Sequence, residues 1–385
     1  MIAEPRIMIV AGEASGDKYG AWLTEEMRLR LPAARFYGMG GKLMREAGVG
    51  TLVDADEMAV FGLVEIIAHA GTIWRAYHLL KKEFTANRPD LLILIDYQEF
   101  NQLLAAAAKR AGVTVLFYIS PQVWAWRPGR VKKMARIVDR MAVLFPFEVP
   151  LYERVGVPVT YVGHPLLDIV RPTLTRDEAF YRFGLDPSRR VVGLFPGSRR
   201  SELKNLFATI IDSARLLRER YPDIQLVLPL APSFRREELE SLLKAAALHV
   251  TIVEGLTYDV MQLCAAVISV SGTVTLELAL MAVPMVIIYR VSELTYQIGR
   301  RLVRIEHAGI CNIVAGERVV MELIQGEAQP PAIAAEISRI LDDSGYRTQI
   351  RAKLAGVRAK LGSGGCSARL AEVAVTMLER REGEE

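Results

Sequence analysis

The feature that most limits the fold is a set of short runs that are apolar at every position, among them Leu91 to Ile95, Val191 to Phe195 and Met285 to Tyr289, separated by stretches of helical period. A strand with one face in water alternates apolar and polar residues. A continuously apolar run is buried on both faces, as parallel strands are when helices cover both sides of their sheet. The repeated order of strand and helix predicts an α/β, doubly wound architecture. In the first half, strands are predicted at Arg6 to Val10, Arg35 to Tyr37, Thr51 to Val53, Leu91 to Ile95, Val113 to Tyr118 and Arg140 to Leu144, and this unit closes near Gly163. Composition turns polar from Arg171 to Arg190, and the pattern restarts with strands at Val191 to Phe195, Gln225 to Pro229, Val250 to Val253, Ala266 to Ser269 and Met285 to Tyr289. Two Rossmann-like domains, 1–168 and 169–361, are therefore expected to face a cleft, with ligands beyond the carboxyl ends of the strands. A helical tail, 362–385, begins with the Ser/Gly hinge Gly362 to Gly365 and either returns to the first domain or pairs with a partner chain as a homodimer.

Composition removes several classes. With 51% apolar and 24% charged residues the 385-residue chain is neither fibrous nor disordered. A net charge of +4 is too slight for an obligate nucleic-acid binder. Three cysteines without a CxxC spacing fit a reducing compartment, and five histidines without HxH or HExxH leave little material for a zinc site; a ligand set of scattered carboxylates is the other reading, and no metal and no cofactor are predicted. The opening MIAEPRIMIVAG reads as a buried first strand and not as a signal peptide. No run approaches the roughly 20 apolar residues of a bilayer crossing, so a cytoplasmic or peripheral protein is expected.

Several loops carry chemistry. Gly12-Glu13-Ala14-Ser15-Gly16-Asp17 follows the first strand and opens a helix, where glycine permits close backbone approach to an anion or sugar oxygen; a plain structural turn is the other reading, and the GxGxxG spacing is absent. Asp96 ends the most buried strand, in a position where desolvation raises a carboxyl toward a useful base, with Glu99 nearby; capping of the next helix by Asp96 or Asn101 is the plainer alternative. Pro196-Gly197-Ser198-Arg199 offers glycine, hydroxyl, backbone donors and a guanidinium fork, and Ser271-Gly272-Thr273 with Glu277 one turn later sits in an equivalent place. Two such loops in one domain suit a nucleotide diphosphate; ordinary helix capping is the alternative. Ser120 to Pro128 places Trp124, Trp126 and Arg127 on a loop that is either a platform for a large substrate or interlayer packing. Met58 to Leu80, with Phe61 and Trp74, has apolar residues at helical period and is either a core helix or a surface for acyl chains.

Taken together, Gly12 to Asp17, Asp96 to Asn101, Ser120 to Arg127, Pro146-Phe147-Glu148, Gly163-His164-Pro165, Pro196 to Arg199 and Ser271 to Glu277 closely resemble the lipid-A-disaccharide synthases over nearly the whole chain. The resemblance implies a GT-B-type inverting glycosyltransferase that condenses UDP-2,3-diacylglucosamine with 2,3-diacylglucosamine 1-phosphate, releases UDP, requires no metal, and lies on the lipid surface at the cytoplasmic face of the inner membrane. Asp96 matches the family's catalytic aspartate, and Arg199 an arginine important for activity. Gly12, Ser15, Gly197, Ser198, Ser271, Gly272, Thr273 and Glu277 are assigned to the UDP donor, as are Asn312, Glu317, Glu322 and Gln325. Glu13, Asp17, Glu99, Phe61, Trp74, Trp124, Trp126 and Arg127 are assigned to the acceptor and its lipid. The family usually shows Asp-Ala-Pro-Asp-Phe-Asn where this chain has Asp96-Tyr97-Gln98-Glu99-Phe100-Asn101, which preserves both carboxylates and removes a proline. A UDP-sugar epimerase of GT-B architecture and a non-catalytic UDP-sugar-binding envelope protein are the competing readings.

Overall fold

The computed structural model describes residues 4–58, 70–121, 130–291, 296 and 306–382. The chain divides into two compact units, Met1–Pro165 with Ser363–Glu385, and Leu166–Gly362. The polar stretch from Arg171 to Arg190 thus lies inside the second unit, where the Asp259 carboxylate accepts from the backbone N–H groups of Thr173 and Leu174 at 2.8 and 2.7 Å.

Unit 1 is built on a seven-stranded sheet of order β3-β2-β1-β4-β5-β6-β7 in which every pairing is parallel. Its strands are β1 (Arg6–Ala11), β2 (Arg35–Gly40), β3 (Gly50–Asp54), β4 (Leu91–Ile95), β5 (Thr114–Tyr118), β6 (Arg140–Val143) and β7 (Val159–Tyr161). The helices that matter for the site are α1 (Ala14–Arg30), α2 (Lys42–Glu46), α3 (Ala70–Ala86) and α4 (Gln98–Arg110). Alternate strand residues serve opposite layers, since successive side chains point to opposite faces. Met8, Val10, Leu92, Leu94 and Phe117 join a core with Leu80, Phe84 and Leu104 from α3 and α4. Ile7, Ile9, Leu91, Ile93 and Ile95 join a second core with Leu23 and Met27 of α1 and with Leu370 and Ala374 of the C-terminal helix Cys366–Glu382. The runs are apolar throughout because both layers are filled.

The C-terminal helix packs on α1 of its own chain and is pinned at its start. Arg369 donates to Val162 O at 2.8 Å and to Ser363 O at 2.9 Å, and the Cys366 thiol lies 3.2 Å from Gly163 O and 3.3 Å from the Tyr118 hydroxyl. Leu370 is 1% exposed in that core.

Unit 2 carries a six-stranded parallel sheet of order β10-β9-β8-β11-β12-β13. The strands are β8 (Val191–Phe195), β9 (Gln225–Leu230), β10 (Thr251–Glu254), β11 (Ala266–Val270), β12 (Met285–Tyr289) and β13 (Glu322–Ile324). Two helices shape its site, α5 (Arg200–Arg220) and α6 (Val274–Leu280). The edge strands β7 and β13, three residues each and only partly buried, go undetected by periodicity because three residues carry no period.

In each sheet the strand order reverses once, between β1 and β4 in unit 1 and between β8 and β11 in unit 2. At such a switch point the two following loops diverge to opposite faces and leave a crevice beyond the strand ends, where open α/β sheets bind ligands. The Gly12 loop and Asp96 flank the first crevice; the Gly197 and Ser271 loops flank the second.

Because the C-terminal helix completes a core of unit 1, Leu370→Ala is expected to destabilise the protein by about 2–5 kcal/mol. Urea denaturation measures it, and a loss within 0.5 kcal/mol of zero, roughly the scale of a surface substitution, would contradict that packing.

Candidate active site

The crevice of unit 1 is a pocket of about 540 Å³ lined by Glu13, Ile73, Asp96, Tyr97, Gln98, Glu99, Phe100 and Leu103. It brings together Glu13, Asp96 and Glu99 of the predicted residues on a mainly apolar wall. Asp96 and Tyr97 follow β4 with φ of 48° and 44°, both in the left-handed region that L-residues avoid. Four contacts hold this turn. The Asn101 amide donates to Asp96 O at 2.7 Å and to Ile95 O at 3.2 Å, the Tyr97 hydroxyl donates to Met58 O at 3.3 Å, and Gly12, which has no Cβ, lets the Tyr97 ring lie against its backbone. Burial, reinforced by the Glu13 carboxylate, pushes the Asp96 carboxyl from its ordinary 3.8 up to about 6, against a smaller lowering by the Tyr97 backbone N–H. The group is ionised at neutral pH and a stronger proton acceptor than an exposed aspartate.

The crevice of unit 2 is a pocket of about 350 Å³ that Gly197, Ser198, Arg199, Ser271, Gly272, Thr273 and Glu277 all line. Gly197 has φ +90° and turns β8 into α5, so the Ser198 and Arg199 N–H groups open the helix. Arg199 keeps 69% of its side chain exposed while one guanidinium nitrogen pairs with Glu202 at 2.9 Å. Glu277 accepts from the Tyr258 hydroxyl at 3.3 Å. The Ser271 hydroxyl donates to Ala308 O at 2.8 Å, so this serine braces the loop as well as lining the pocket.

Other predicted residues are placed elsewhere. Gly12 and Ser15, assigned to the donor, belong to unit 1, where Gly12 supports Tyr97 and Ser15 is exposed. Asp17 lies outside the pocket lining, and its carboxylate accepts from Gly41, Leu43 and Met44 N at 2.7, 3.0 and 3.1 Å, capping α2. Asn312, Glu317, Glu322 and Gln325 do not line the pocket of unit 2. Asn312 is fully buried, with its carbonyl on Val319 and Val320 N and its amide on Val320 O and on Glu322, whose two oxygens also take the Ala308 and Gly309 N–H groups. Gln325 is bonded to the Val291 backbone through both amide atoms, and Glu317 pairs with Lys353 at 2.5 Å on the surface. These polar groups meet backbone demands of the fold, which act over distances that a motif does not encode. On α3 the inward residues are Ala76, Leu80 and Phe84, and Ile73 reaches the pocket; Trp74 lies on the outer face, 63% exposed and 4.2 Å from the His78 ring. Phe61, Trp124, Trp126 and Arg127 fall outside the described residues. Glu202 and Tyr258, at the second pocket or bonded to its lining, were not among the predicted residues; the one signal for Glu202 is its place at the third helical position, from which a glutamate reaches back to the N–H at the helix start.

Among the described residues no group of three or more His, Cys, Asp or Glu side chains could hold a metal ion, and no helix is long and apolar enough to cross a membrane.

Two Rossmann-like units, each built on a parallel sheet with a lined crevice at its switch point, define a GT-B-type α/β protein. Solved structures agree on the fold: a UDP-GlcNAc 2-epimerase from Neisseria meningitidis bound to UDP-GlcNAc has a TM-score of 0.63 at 14% identity, covering 97% of this chain and 100% of that one. CalG4, the calicheamicin glycosyltransferase, has 0.60 at 14%, covering 98% and 99%. The chain belongs to the lipid-A-disaccharide synthetase family, whose profile matches residues 7–374. The lipid-A-disaccharide synthase of Geobacter sulfurreducens is 63% identical over 376 residues, 98% of each chain. Membership makes the chain an enzyme, a glycosyltransferase of lipid A biosynthesis. The epimerase likeness is one of fold at 14% identity, and family membership leaves the epimerase and non-catalytic readings not favoured.

The raised Asp96 carboxyl has a consequence for stability. A folded-state value above the unfolded one places the penalty on the ionised form, so it is absent below about 3.8 and complete above about 6. Asp96→Asn is expected to stabilise the protein at neutral pH by on the order of 3 kcal/mol and to leave stability near the acid limit unchanged. Equal effects in urea denaturation at the two pH values would contradict the desolvated charge.

Proposed function

We propose that the chain transfers 2,3-diacylglucosamine from its UDP conjugate to the 6-hydroxyl of 2,3-diacylglucosamine 1-phosphate, forming the β-1,6 disaccharide 1-phosphate and UDP. The observation that carries this reading is the convergence of two anion-suited loops, Gly197 to Arg199 and Ser271 to Thr273, with Glu277 on one pocket of unit 2, in a chain of this family. The Ser198 and Arg199 N–H groups and the guanidinium suit a diphosphate, and Glu277 suits ribose hydroxyls. On unit 1, Asp96 suits a general base.

In this mechanism Asp96 takes the proton of the acceptor 6-hydroxyl as that oxygen bonds to the donor anomeric carbon. The bond from this carbon to the UDP oxygen breaks on the opposite face, and the configuration inverts. Negative charge grows on the leaving diphosphate, where Arg199 and the preorganised N–H groups stabilise it. The apolar wall of Ile73, Phe100 and Leu103 beside Asp96 suits acyl chains. Leu103 is 58% exposed and, with the outward Trp74, suits contact with a lipid surface at the cytoplasmic face of the inner membrane.

Purified protein incubated with both lipid substrates and EDTA is expected to yield the tetraacyl disaccharide phosphate and UDP by mass spectrometry. Folded, UDP-binding protein that makes no disaccharide would refute the acceptor assignment. Arg199→Ala should lower kcat about 10²–10³-fold, the usual loss for one preorganised donor to a transition-state anion. Turnover in the wild type should fall as pH drops through about 6, where Asp96 becomes protonated.

Leu103→Asp separates the acyl role from core packing. It is expected to raise KM for the lipid acceptor about tenfold, the scale of one or two methylenes withdrawn from an apolar site, while leaving UDP affinity unchanged. An equal fall in UDP affinity would mean that the change disturbs the fold.

A further inference from the structure

Glu202 lies in the donor pocket with its carboxylate on the groups that a phosphate needs. One carboxylate oxygen accepts from Ser198 N at 3.0 Å and Arg199 N at 3.2 Å; the other accepts from the Arg199 guanidinium at 2.9 Å. The side chain is only 12% exposed, so this is a seated group and not a passing surface ion pair. Gly197 provides the space, because a Cβ at that position would overlap the Glu202 carboxylate. Pocket, glycine, two helix-start N–H groups and guanidinium together form an anion seat, and an anion of this chain is already in it.

A carboxylate and a phosphate cannot both take the Ser198 and Arg199 backbone N–H groups. Each N–H has one proton to give, and two anions in contact within a partly desolvated pocket repel strongly. Glu202 must leave when a diphosphate arrives on this loop.

We propose that Glu202 is an internal occupant of the diphosphate seat: it stands in for a phosphate in the free protein, is expelled by a nucleoside diphosphate, and thereby yields the Ser198 and Arg199 N–H groups to the leaving group. This rests on the donor site proposed above. The device sets a threshold. A ligand that brings only phosphate charge must compete with a tethered carboxylate, whereas a ligand that also brings a base and a ribose gains contacts elsewhere in the pocket. Glu202 therefore favours whole nucleoside diphosphates over inorganic anions. The rival role is a positioning residue that stays in place and aims Arg199.

Calorimetric titration of the full-length wild type and Glu202→Gln with UDP, inorganic pyrophosphate and uridine separates the two. Glutamine keeps an acceptor at the helix start and removes the charge, and charge-assisted hydrogen bonds are about twice as strong as neutral ones. The variant is expected to bind UDP and pyrophosphate about fivefold more tightly, with uridine affinity unchanged. A second variant, Glu202→Asp, keeps the charge but draws it back by one methylene, and is expected to bind UDP more tightly as well. Wild-type UDP binding with equal or weaker binding by Glu202→Gln would overturn the proposal and leave the donor site standing. A gain for uridine matching that for UDP would also overturn it, since the pocket would then have opened generally. A wild type that binds no UDP would remove the donor site and this proposal together.

Discussion

The turn at Asp96 and Tyr97 is the constraint around which unit 1 is arranged. Two consecutive L-residues in the left-handed region are held there at a cost of roughly 1–2 kcal/mol each. Glycine would relieve the strain but would supply no carboxylate. Asn101 stabilises the turn from one helical turn away, with its amide on two successive carbonyls. Because both neighbours are acceptors, the NH₂ end must face them, and the buried Asn101 carbonyl oxygen has no hydrogen-bond partner among the described residues. The unsatisfied acceptor and the strained backbone are two local penalties at one place. Such penalties persist where surrounding packing over-determines the conformation. Here the surroundings are β4, buried on both faces, and the Tyr97 ring lying against Gly12.

The same arrangement accounts for the chemistry of the carboxylate. A residue that continued the strand would point into one of the two filled layers, and a residue well inside the helix would point along its surface. The left-handed step redirects the chain at the point where β1 and β4 part, so Asp96 enters the crevice at the switch point. Partial burial there makes the carboxyl a better base, and the same burial makes the ionised form destabilising. Activity and stability are opposed at this atom for one physical reason.

Much of this was legible in the sequence. The continuous apolar runs gave the parallel sheets, because only a doubly covered strand tolerates apolar residues at every position; β4, β8 and β12 fall where their runs are. Asp96 and the Ser271 loop were legible as pocket linings because they immediately follow strands, and Arg199 because it follows the Gly197 turn after one. What stayed hidden depends on partners remote in sequence. Asp17 looks like a ligand-loop carboxylate, yet it caps a helix 24 to 27 residues away. Asn312 and Glu322 look like a polar site, yet they satisfy backbone groups of a buried loop. On α3 the helical period was visible, but the inward face was not, because Trp74 and Ile73 are neighbours of equal apolar character and only packing selects between them.

The carboxylates of this fold are sorted by how many backbone N–H groups reach them. Asp17, Asp259 and Glu322 each accept from two or three, and an oxygen so engaged has little capacity left for a ligand. Asp96 keeps its pKa high because burial outweighs the one backbone hydrogen bond that opposes it. Glu202 lies between these classes: its donors are backbone N–H groups, as in a structural cap, but they line a pocket and are joined by an exposed guanidinium. A cap that no ligand can reach is part of the fold. A cap standing in a ligand pocket can be exchanged for the ligand, and the physics that lets a carboxylate rest there is the same that lets a phosphate replace it.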